Sequence, residues 1–174
     1  MRDKTTLVLI GVVVALVVAA STWVIVERQR EAGAPPAGGG ACSAAFFYEY
    51  GATWCPYCRS LHEFFSSKYP DRHFFCAIDV YKACYDGFTK FATEVTGSDS
   101  IPQTLVLVNR THVLAVVIGA VTEEGFWASI SCAQPSARVP VYYGTRLLGY
   151  LNLNTTDHSS FIEKYVVPPE KARG

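Results

Sequence analysis

The chain has 174 residues, half of them hydrophobic, with 15 basic and 15 acidic side chains and a formal net charge of zero. After Arg30 the acidic residues number thirteen and the basic residues eleven, a formal charge of −2. This balance excludes a strongly basic surface, so we expect no binding to nucleic acid and no electrostatic attraction to anionic lipid.

A long apolar segment lies near the N-terminus. Residues 7–26 carry no charge, and an α-helix of that length spans roughly 30 Å, the thickness of a bilayer core. A cleaved signal peptide is the alternative, because Ala19-Ala20-Ser21 has the small side chains of a cleavage site. The apolar run continues beyond that site through Trp23, so we favour an uncleaved transmembrane anchor after a short tail of residues 1–6.

Basic residues flank the predicted anchor equally on both sides and do not set its orientation. Six cysteines in a small domain are typical of compartments where disulfides persist, outside the cytosol, with intracellular proteins of hyperthermophiles as the exception. Glycosylation sequons at Asn109 and Asn154 also favour a location of the domain outside the cytosol. We therefore expect a single-pass membrane protein with an extracytoplasmic domain.

A linker is predicted over residues 27–41, where glycine and proline dominate and no apolar period is present. As a flexible coil it would have an r.m.s. reach of roughly 20 Å. The folded domain is therefore expected to move near the membrane surface.

The next element contains the motif Cys55-Pro56-Tyr57-Cys58. An aromatic, β-favouring run precedes it and ends at Gly51, and a helical pattern begins at Pro56. Proline suits the first helical position, because its missing N–H would have no partner there. The two thiols thus lie at a strand-to-helix junction, at a spacing that lets a disulfide form and open.

The two cysteines are predicted to have unequal roles. A thiol at a helix N-terminus faces the positive end of the helix dipole and unpaired N–H groups, which favour the thiolate, so Cys55 is the expected attacking sulfur. Cys58 lies one turn further along and belongs, with Leu61 and Phe65, to the stripe that should face the core. Cys55 lies outside that stripe. Cys58 would resolve the mixed disulfide that Cys55 forms with another protein.

A zinc half-site and a purely structural disulfide are the other interpretations of this pair. Zinc needs a second cysteine or histidine pair at matching spacing, and no other two cysteines have the C-x-x-C spacing. A four-residue ring at a helix start is an unusual place for a structural bridge. We expect no metal ion, with His62 and His158 as plain surface histidines, and no cofactor, because the sulfurs hold the electrons.

Four further cysteines allow three pairings if all are oxidised: Cys42, Cys76, Cys84 and Cys132. Cys76 falls in a strand predicted over residues 73–80, and the short loop to Cys84 makes that pair conceivable. Cys42 and Cys132 would then join the two ends of the domain. Alternatively, Cys76 is a free buried thiol that packs as a small hydrophobic side chain.

Residues 42–133 resemble the thioredoxin superfamily, in particular its membrane-bound thioredoxin-like and Dsb-type members. Ile101-Pro102 stands before a strand predicted at 104–108, as the cis-proline loop of that family does. A second hairpin strand follows at 113–118 and a closing helix at about 122–132, in the family's order. The resemblance implies an α/β thioredoxin fold, in which helices flank a central mixed sheet.

The resemblance also implies roles for individual residues. Glu49 stands six positions before Cys55, in the place of a buried acidic residue of the family. A desolvated carboxyl there would have a raised pKa and could exchange the proton of Cys58, although a solvated strand-edge residue is the alternative. The residues implied to contact substrate are Trp54, Pro56, Tyr57, Ile101 and Pro102.

The glutaredoxin-like dipeptide between the cysteines does not predict glutathione binding. The Gly-Gly-x-x-Asp signature that holds glutathione in glutaredoxins is replaced here by the run from Gly119 to Glu123. We therefore expect protein thiols and disulfides as partners, with a membrane redox partner as a further candidate. The motif fits both an oxidase and a reductase, and no feature indicates the oligomeric state.

A non-catalytic interpretation remains, in which the same groove makes the domain a tethered module for peptide binding or complex assembly. The segment 134–174 carries no catalytic constellation. It predicts a short hairpin around Gly144-Thr145 and a helix over residues 159–166, as an extension of the domain.

Overall fold

The computed structural model describes residues 45–154 and 157–172, which lie in the second of the two units of the chain, Gly40–Gly174. The predicted tail, anchor and linker lie outside the described residues, as does Cys42. None of the helices within the described ranges is long and apolar enough to cross a membrane.

Strands and helices alternate along most of the described chain. A 3-10 turn at Pro70–Arg72 precedes the second strand, and a π-helical turn at Ala92–Thr96 extends the second helix. The elements are β1 Ala45–Gly51, α1 Pro56–Lys68, β2 His73–Ala77, α2 Lys82–Phe91, β3 Gln103–Val108, β4 His112–Ile118, α3 Glu124–Ser131, β5 Arg138–Tyr143, β6 Arg146–Asn152, α4 Asp157–Tyr165 and α5 Pro169–Ala172.

The strands form one six-stranded mixed sheet in the order β2-β1-β3-β4-β5-β6. β1 pairs with β2 in parallel and with β3 in antiparallel orientation, and β4 pairs with β5 in parallel. The predicted α/β class with a central mixed sheet flanked by helices is confirmed at this level. β1 is an internal strand, so the residues at its C-terminal end meet neighbours on both sides.

Alternation along β1 divides its side chains between two helical layers. Phe47 points to the layer of α1 and α3, where its ring stacks on Phe65 at 4.6 Å between centroids and meets Trp127 edge-on at 5.5 Å. Tyr50 points to the layer of α2 and α4, and its hydroxyl donates to the carbonyl oxygen of Tyr165 at 2.6 Å. Glu49 therefore shares the α1 face with Phe47.

The C-terminal segment belongs to the same sheet and core. β5 and β6 form a hairpin that extends the sheet beyond β4, and Gly144 takes a positive φ of 58° in its turn. From α4, Phe161 and Tyr165 pack into the apolar cluster that contains Tyr50. The elements from β5 to α5 are thus part of the packing of the domain rather than an appendage on its surface.

One of the conceivable cysteine pairs is formed. Cys76 in β2 and Cys84 in α2 make a disulfide with a sequence separation of eight residues. The alternative of a free thiol at Cys76 is therefore wrong. Cys132 is also disulfide-bonded, and the predicted Cys42–Cys132 pairing involves a residue outside the described ranges.

Candidate functional site

The Cys55–Cys58 pair lies at the junction between β1 and α1. Cys55 is the N-cap of α1, and its Sγ accepts the backbone N–H of Cys58 at 3.2 Å. Pro56 occupies the first turn, where a proline removes no helical hydrogen bond. Both thiols are free, so the structure presents the reduced dithiol at a helix N-terminus.

Cys55 is more buried than its place outside the helical stripe predicts. Only 4% of it is exposed, and Cys58 is fully buried. The reason is a small apolar cluster around the helix start, in which Ala52 joins the two cysteines and the side chains of Phe75 and Ile101 pack against them. Access to the attacking sulfur is therefore narrow.

The rim of the pair is apolar and exposed. Trp54 and Tyr57 are each 70% exposed, which is unusual for side chains of this size and is typical of surfaces that bind other molecules. The preceding turn is held by Asp79, which accepts hydrogen bonds from the backbone N–H of Thr53 at 2.9 Å and from its hydroxyl. Although burial opposes it, these bonds keep the pKa of Asp79 below its usual value.

The loop before β3 faces the cysteines. The Ile101–Pro102 peptide bond is cis, in the form that the resemblance implies. Pro102 is buried and its carbonyl oxygen accepts the N–H of Gly119 at 2.8 Å, which joins the loop to the end of β4. The structure thus brings together Cys55, Cys58 and Ile101, with Trp54 and Tyr57 at the rim.

Glu49 is a buried carboxyl on an internal strand, so the alternative of a solvated strand-edge residue is wrong. Its Oε2 lies 2.9 Å from Nε2 of His73. Burial, followed by the charge of Cys55, raises the pKa of Glu49 well above its usual value. Burial, followed by the charge of His62, lowers the pKa of His73 to about 3. Burial therefore disfavours the charged form of both groups, and the contact between Oε2 and Nε2 joins them by a hydrogen bond.

The two thiols differ in their surroundings. Burial raises the pKa of the Cys58 thiol, and its hydrogen bond with Cys55 and the negative charge of Glu49 raise it further. The Cys58 N–H that points at Cys55 Sγ instead favours a thiolate on Cys55. Cys55 is therefore the better placed of the two sulfurs to act as the nucleophile.

Two histidines depart from the expectation of plain surface residues. His158 is only 2% exposed, and its Nδ1 accepts the backbone N–H of Val113 at 3.1 Å. His62 lies on α1 one turn after Cys58, and its Nδ1 is buried with no hydrogen-bond partner. Together with Glu49, His62 and His73 form a polar cluster beneath α1 that the sequence analysis does not predict.

The raised pKa of Glu49 implies a pH dependence of stability. The folded pKa of Glu49 lies above its ordinary value of 4.5, so the folded chain keeps a proton that the unfolded chain releases. Stability therefore falls as the pH rises between these two values. The pKa values of His62 and His73 are lowered instead, so their titration increases stability as the pH rises. This opposite effect operates only below pH 6.5. The two histidines therefore no longer oppose the Glu49 effect above pH 6.5.

The Glu49→Gln variant removes this ionisation and keeps an N–H donor for His73. As the pH rises above 4.5, we expect the free energy of unfolding of the wild type to fall relative to that of Glu49→Gln. Denaturant titrations at several pH values measure the difference, and the exposed Glu163→Gln variant serves as the matched control. Parallel pH profiles for the wild type and Glu49→Gln would contradict the raised pKa.

Comparison with known proteins returns no relative, since no family model, no curated protein and no solved structure matches the chain. The chemistry of the site is therefore the basis for assigning a function. It consists of two free thiols at a helix N-terminus, an apolar rim and a buried carboxyl whose charge acts on the inner thiol.

Proposed function

We propose that the chain is a thiol–disulfide oxidoreductase that exchanges disulfides with protein substrates through Cys55 and Cys58. The observation that carries the proposal is the hydrogen bond from the Cys58 N–H to Cys55 Sγ at the start of α1. That contact and the helix dipole both favour a thiolate on the outer cysteine, whereas burial keeps the inner thiol protonated. Two thiols that differ in this way suit an exchange in which one sulfur attacks the substrate disulfide and the other resolves the mixed disulfide.

In the reductive direction, the Cys55 thiolate attacks one sulfur of a substrate disulfide, forms a mixed disulfide and releases the other substrate sulfur as a thiolate. Cys58 then loses its proton and attacks Cys55 Sγ, which forms the Cys55–Cys58 disulfide and releases the second substrate thiolate. Two electrons pass from the enzyme dithiol to the substrate disulfide. The reverse sequence oxidises a substrate dithiol.

Glu49 is the proposed proton acceptor and donor for Cys58. Its carboxyl is buried and its negative charge raises the pKa of the Cys58 thiol, so each group responds to the charge of the other. A carboxyl with a raised pKa exchanges protons near neutral pH more readily than an ordinary surface carboxylate. Proton transfer inside the site avoids the formation of two buried negative charges at once.

The substrate is proposed to be a protein segment with apolar side chains next to its cysteine. Trp54 and Tyr57, which adjoin the two cysteines in the chain, are largely exposed and offer apolar contact area. Ile101 packs against the cysteine cluster from the facing loop, and its backbone is the proposed pairing partner for an extended substrate segment. Glutathione, which lacks such an apolar segment, fits this rim less well.

The arrangement of the elements supports our proposal that the chain belongs to the thioredoxin superfamily. The internal β1 strand, the dithiol at the start of α1, the loop at Ile101-Pro102 and the β3–β4 hairpin follow the element order of that fold. With the apolar segment at 7–26, we propose a membrane-tethered enzyme whose domain works outside the cytoplasm. Its redox partners would be protein thiols, protein disulfides and a membrane protein that resets the dithiol.

The test is disulfide exchange by the full-length protein, measured as insulin reduction and as oxidation of a dithiol peptide. We expect turnover in at least one direction, with complete loss in the double variant Cys55→Ser/Cys58→Ser. Partner binding that persists unchanged in the double variant, without exchange in the wild type, would favour the peptide-binding module instead. Acid quenching and alkylation in cells then assign the direction, because an oxidase is mostly oxidised and a reductase mostly reduced.

A further inference from the structure

Three side chains converge beneath α1 from three different elements. Glu49 comes from β1, His62 from α1 and His73 from β2, and one donor atom of each lies within 4.8 Å of the donor atoms of the other two. The chain has four histidines in total, and two of them meet here at a carboxyl. No other group of three such residues was found among residues 45–154 and 157–172.

The cluster contains most of the unsatisfied polar atoms of the described interior. Three buried side-chain nitrogen or oxygen atoms have no hydrogen-bond partner there: Glu49 Oε1, His62 Nδ1 and Thr104 Oγ1. The first two belong to the cluster, and Thr104 is the cross-strand neighbour of Glu49. Buried polar atoms are almost always paired in folded proteins, so their concentration at one place makes the cluster a candidate site for a polar ligand.

The imidazoles are held by packing beside an open cleft, and the His73 side chain is only 3% exposed. The His62 ring packs on His73 at 5.2 Å and on Phe75 at 4.9 Å between centroids, and the His73 ring packs on Phe65 at 4.9 Å. Both histidines line an open cleft of about 650 Å³, whereas Glu49 is fully buried beneath them. A small ion can therefore enter from the cleft and meet donor atoms on rigid elements.

We propose that Glu49, His62 and His73 form a binding site for a divalent transition-metal ion, with Zn²⁺ as the best match. Two imidazoles and one carboxylate are a common zinc ligand set, which leaves the fourth position to water or another ligand. Tetrahedral zinc places donor atoms roughly 3.3 Å apart. The donor atoms here need to move by at most about 1.5 Å to reach that separation.

This site shares Glu49 with the proposed proton relay, but its three ligands do not include the thiols, so zinc binding can be tested without exchange activity. Reduced cysteines also bind zinc, so the test uses full-length protein carrying Cys55→Ser and Cys58→Ser. We expect one equivalent of Zn²⁺ to bind in competition with a chromophoric chelator. Binding that disappears in this thiol-free protein would overturn the proposal, because the sulfurs would then be the ligands.

The His62→Ala substitution, added to the thiol-free protein, removes one ligand and an unpaired buried nitrogen, so the fold should be retained. Loss of a direct ligand is expected to weaken zinc affinity by at least about 100-fold, since even groups that only orient a ligand cost 10- to 100-fold. His112→Ala is the matched control: its ring also packs on a histidine, at 5.2 Å from His158, and zinc affinity should not change. Equal weakening by both variants, or by neither, would overturn the proposal.

Glu49→Gln supplies a second variant with nearly the same shape. Its amide retains a hydrogen-bond donor for His73 but is a poor zinc ligand, so binding should weaken while the melting temperature is maintained. Cobalt substitution adds a spectroscopic readout: Co²⁺ in the thiol-free protein should give the visible bands of a tetrahedral site, and His62→Ala should remove them. Visible bands that persist in His62→Ala would overturn the assignment.

Discussion

Cys58→Ala is expected to turn the site into a trap that accumulates covalent complexes with other proteins. The variant keeps Cys55 at the N-terminus of α1, so attack on a substrate disulfide still occurs. The mixed disulfide then has no second thiol to resolve it. A non-reducing gel followed by a reducing second dimension should show several off-diagonal partners for Cys58→Ala and almost none for the wild type.

Cys55→Ala is the matched variant for that experiment. It keeps Cys58, whose thiol is fully buried and has a raised pKa, so this sulfur is a poor nucleophile and cannot be reached by a protein substrate. Turnover should fall to the uncatalysed rate with no trapped partners. An empty diagonal gel for Cys58→Ala, or equally many complexes with both variants, would contradict the assigned roles of the two cysteines.

The elements that are predictable from the sequence are those encoded by neighbouring residues. The strand-to-helix junction at the dithiol and the two hairpins appear within one or two residues of their predicted bounds. Their turns carry local signals: Asn109 and Arg110 take positive φ angles of 52° and 56°, and Gly144 takes 58°. Such backbone conformations favour asparagine and glycine, so the chain itself marks where each hairpin reverses.

The polar cluster under α1 depends on strand register and was therefore missed. Glu49 pairs with Phe75 across the β1–β2 ladder, which puts His73 two residues along on the same face. Nothing in the local sequence gives this register, because the 13 residues of α1 and a 3-10 turn separate the two strands. A one-residue shift would move His73 to the opposite face, away from Glu49.

The end of β2 and the burial of Cys55 have similar causes. The predicted strand over residues 73–80 ends at Ala77, because the N–H groups of Val80 and Tyr81 both donate back to the Ala77 carbonyl. The pattern of apolar residues in the sequence does not reveal such a hydrogen-bonded turn. Cys55 is buried by Phe75 and Ile101, which come from other parts of the chain, so a helical stripe calculated within α1 alone does not include it.

Gly51→Val is expected to damage both the fold and the dithiol, because a side chain at Gly51 would collide with Phe75 of β2 and with Cys58 of α1. A Cβ at this position would lie 2.6 Å from Phe75 Cε2, 3.0 Å from Cys58 Cβ and 3.2 Å from Cys58 Sγ. Distances below 3.0 Å force neighbours to move, and overpacking a tight core typically costs about 1–3 kcal/mol. Valine adds two further carbon atoms, so we expect a loss of about 3 kcal/mol in the free energy of unfolding.

Gly149→Val is the matched control, since Gly149 also lies within a strand but a Cβ there meets no atom within 4 Å. Valine is favoured in strands over glycine, so this change should leave stability within about 0.5 kcal/mol or raise it slightly. Denaturant unfolding measures both effects.

Disulfide exchange should fall at least about tenfold in folded Gly51→Val, because displacement of Cys58 by about 1 Å spoils the alignment of the two sulfurs. Unchanged stability and exchange in Gly51→Val would mean that α1 does not pack against β1 as closely as described, and the hydrogen bond from Cys58 to Cys55 would lose its structural basis.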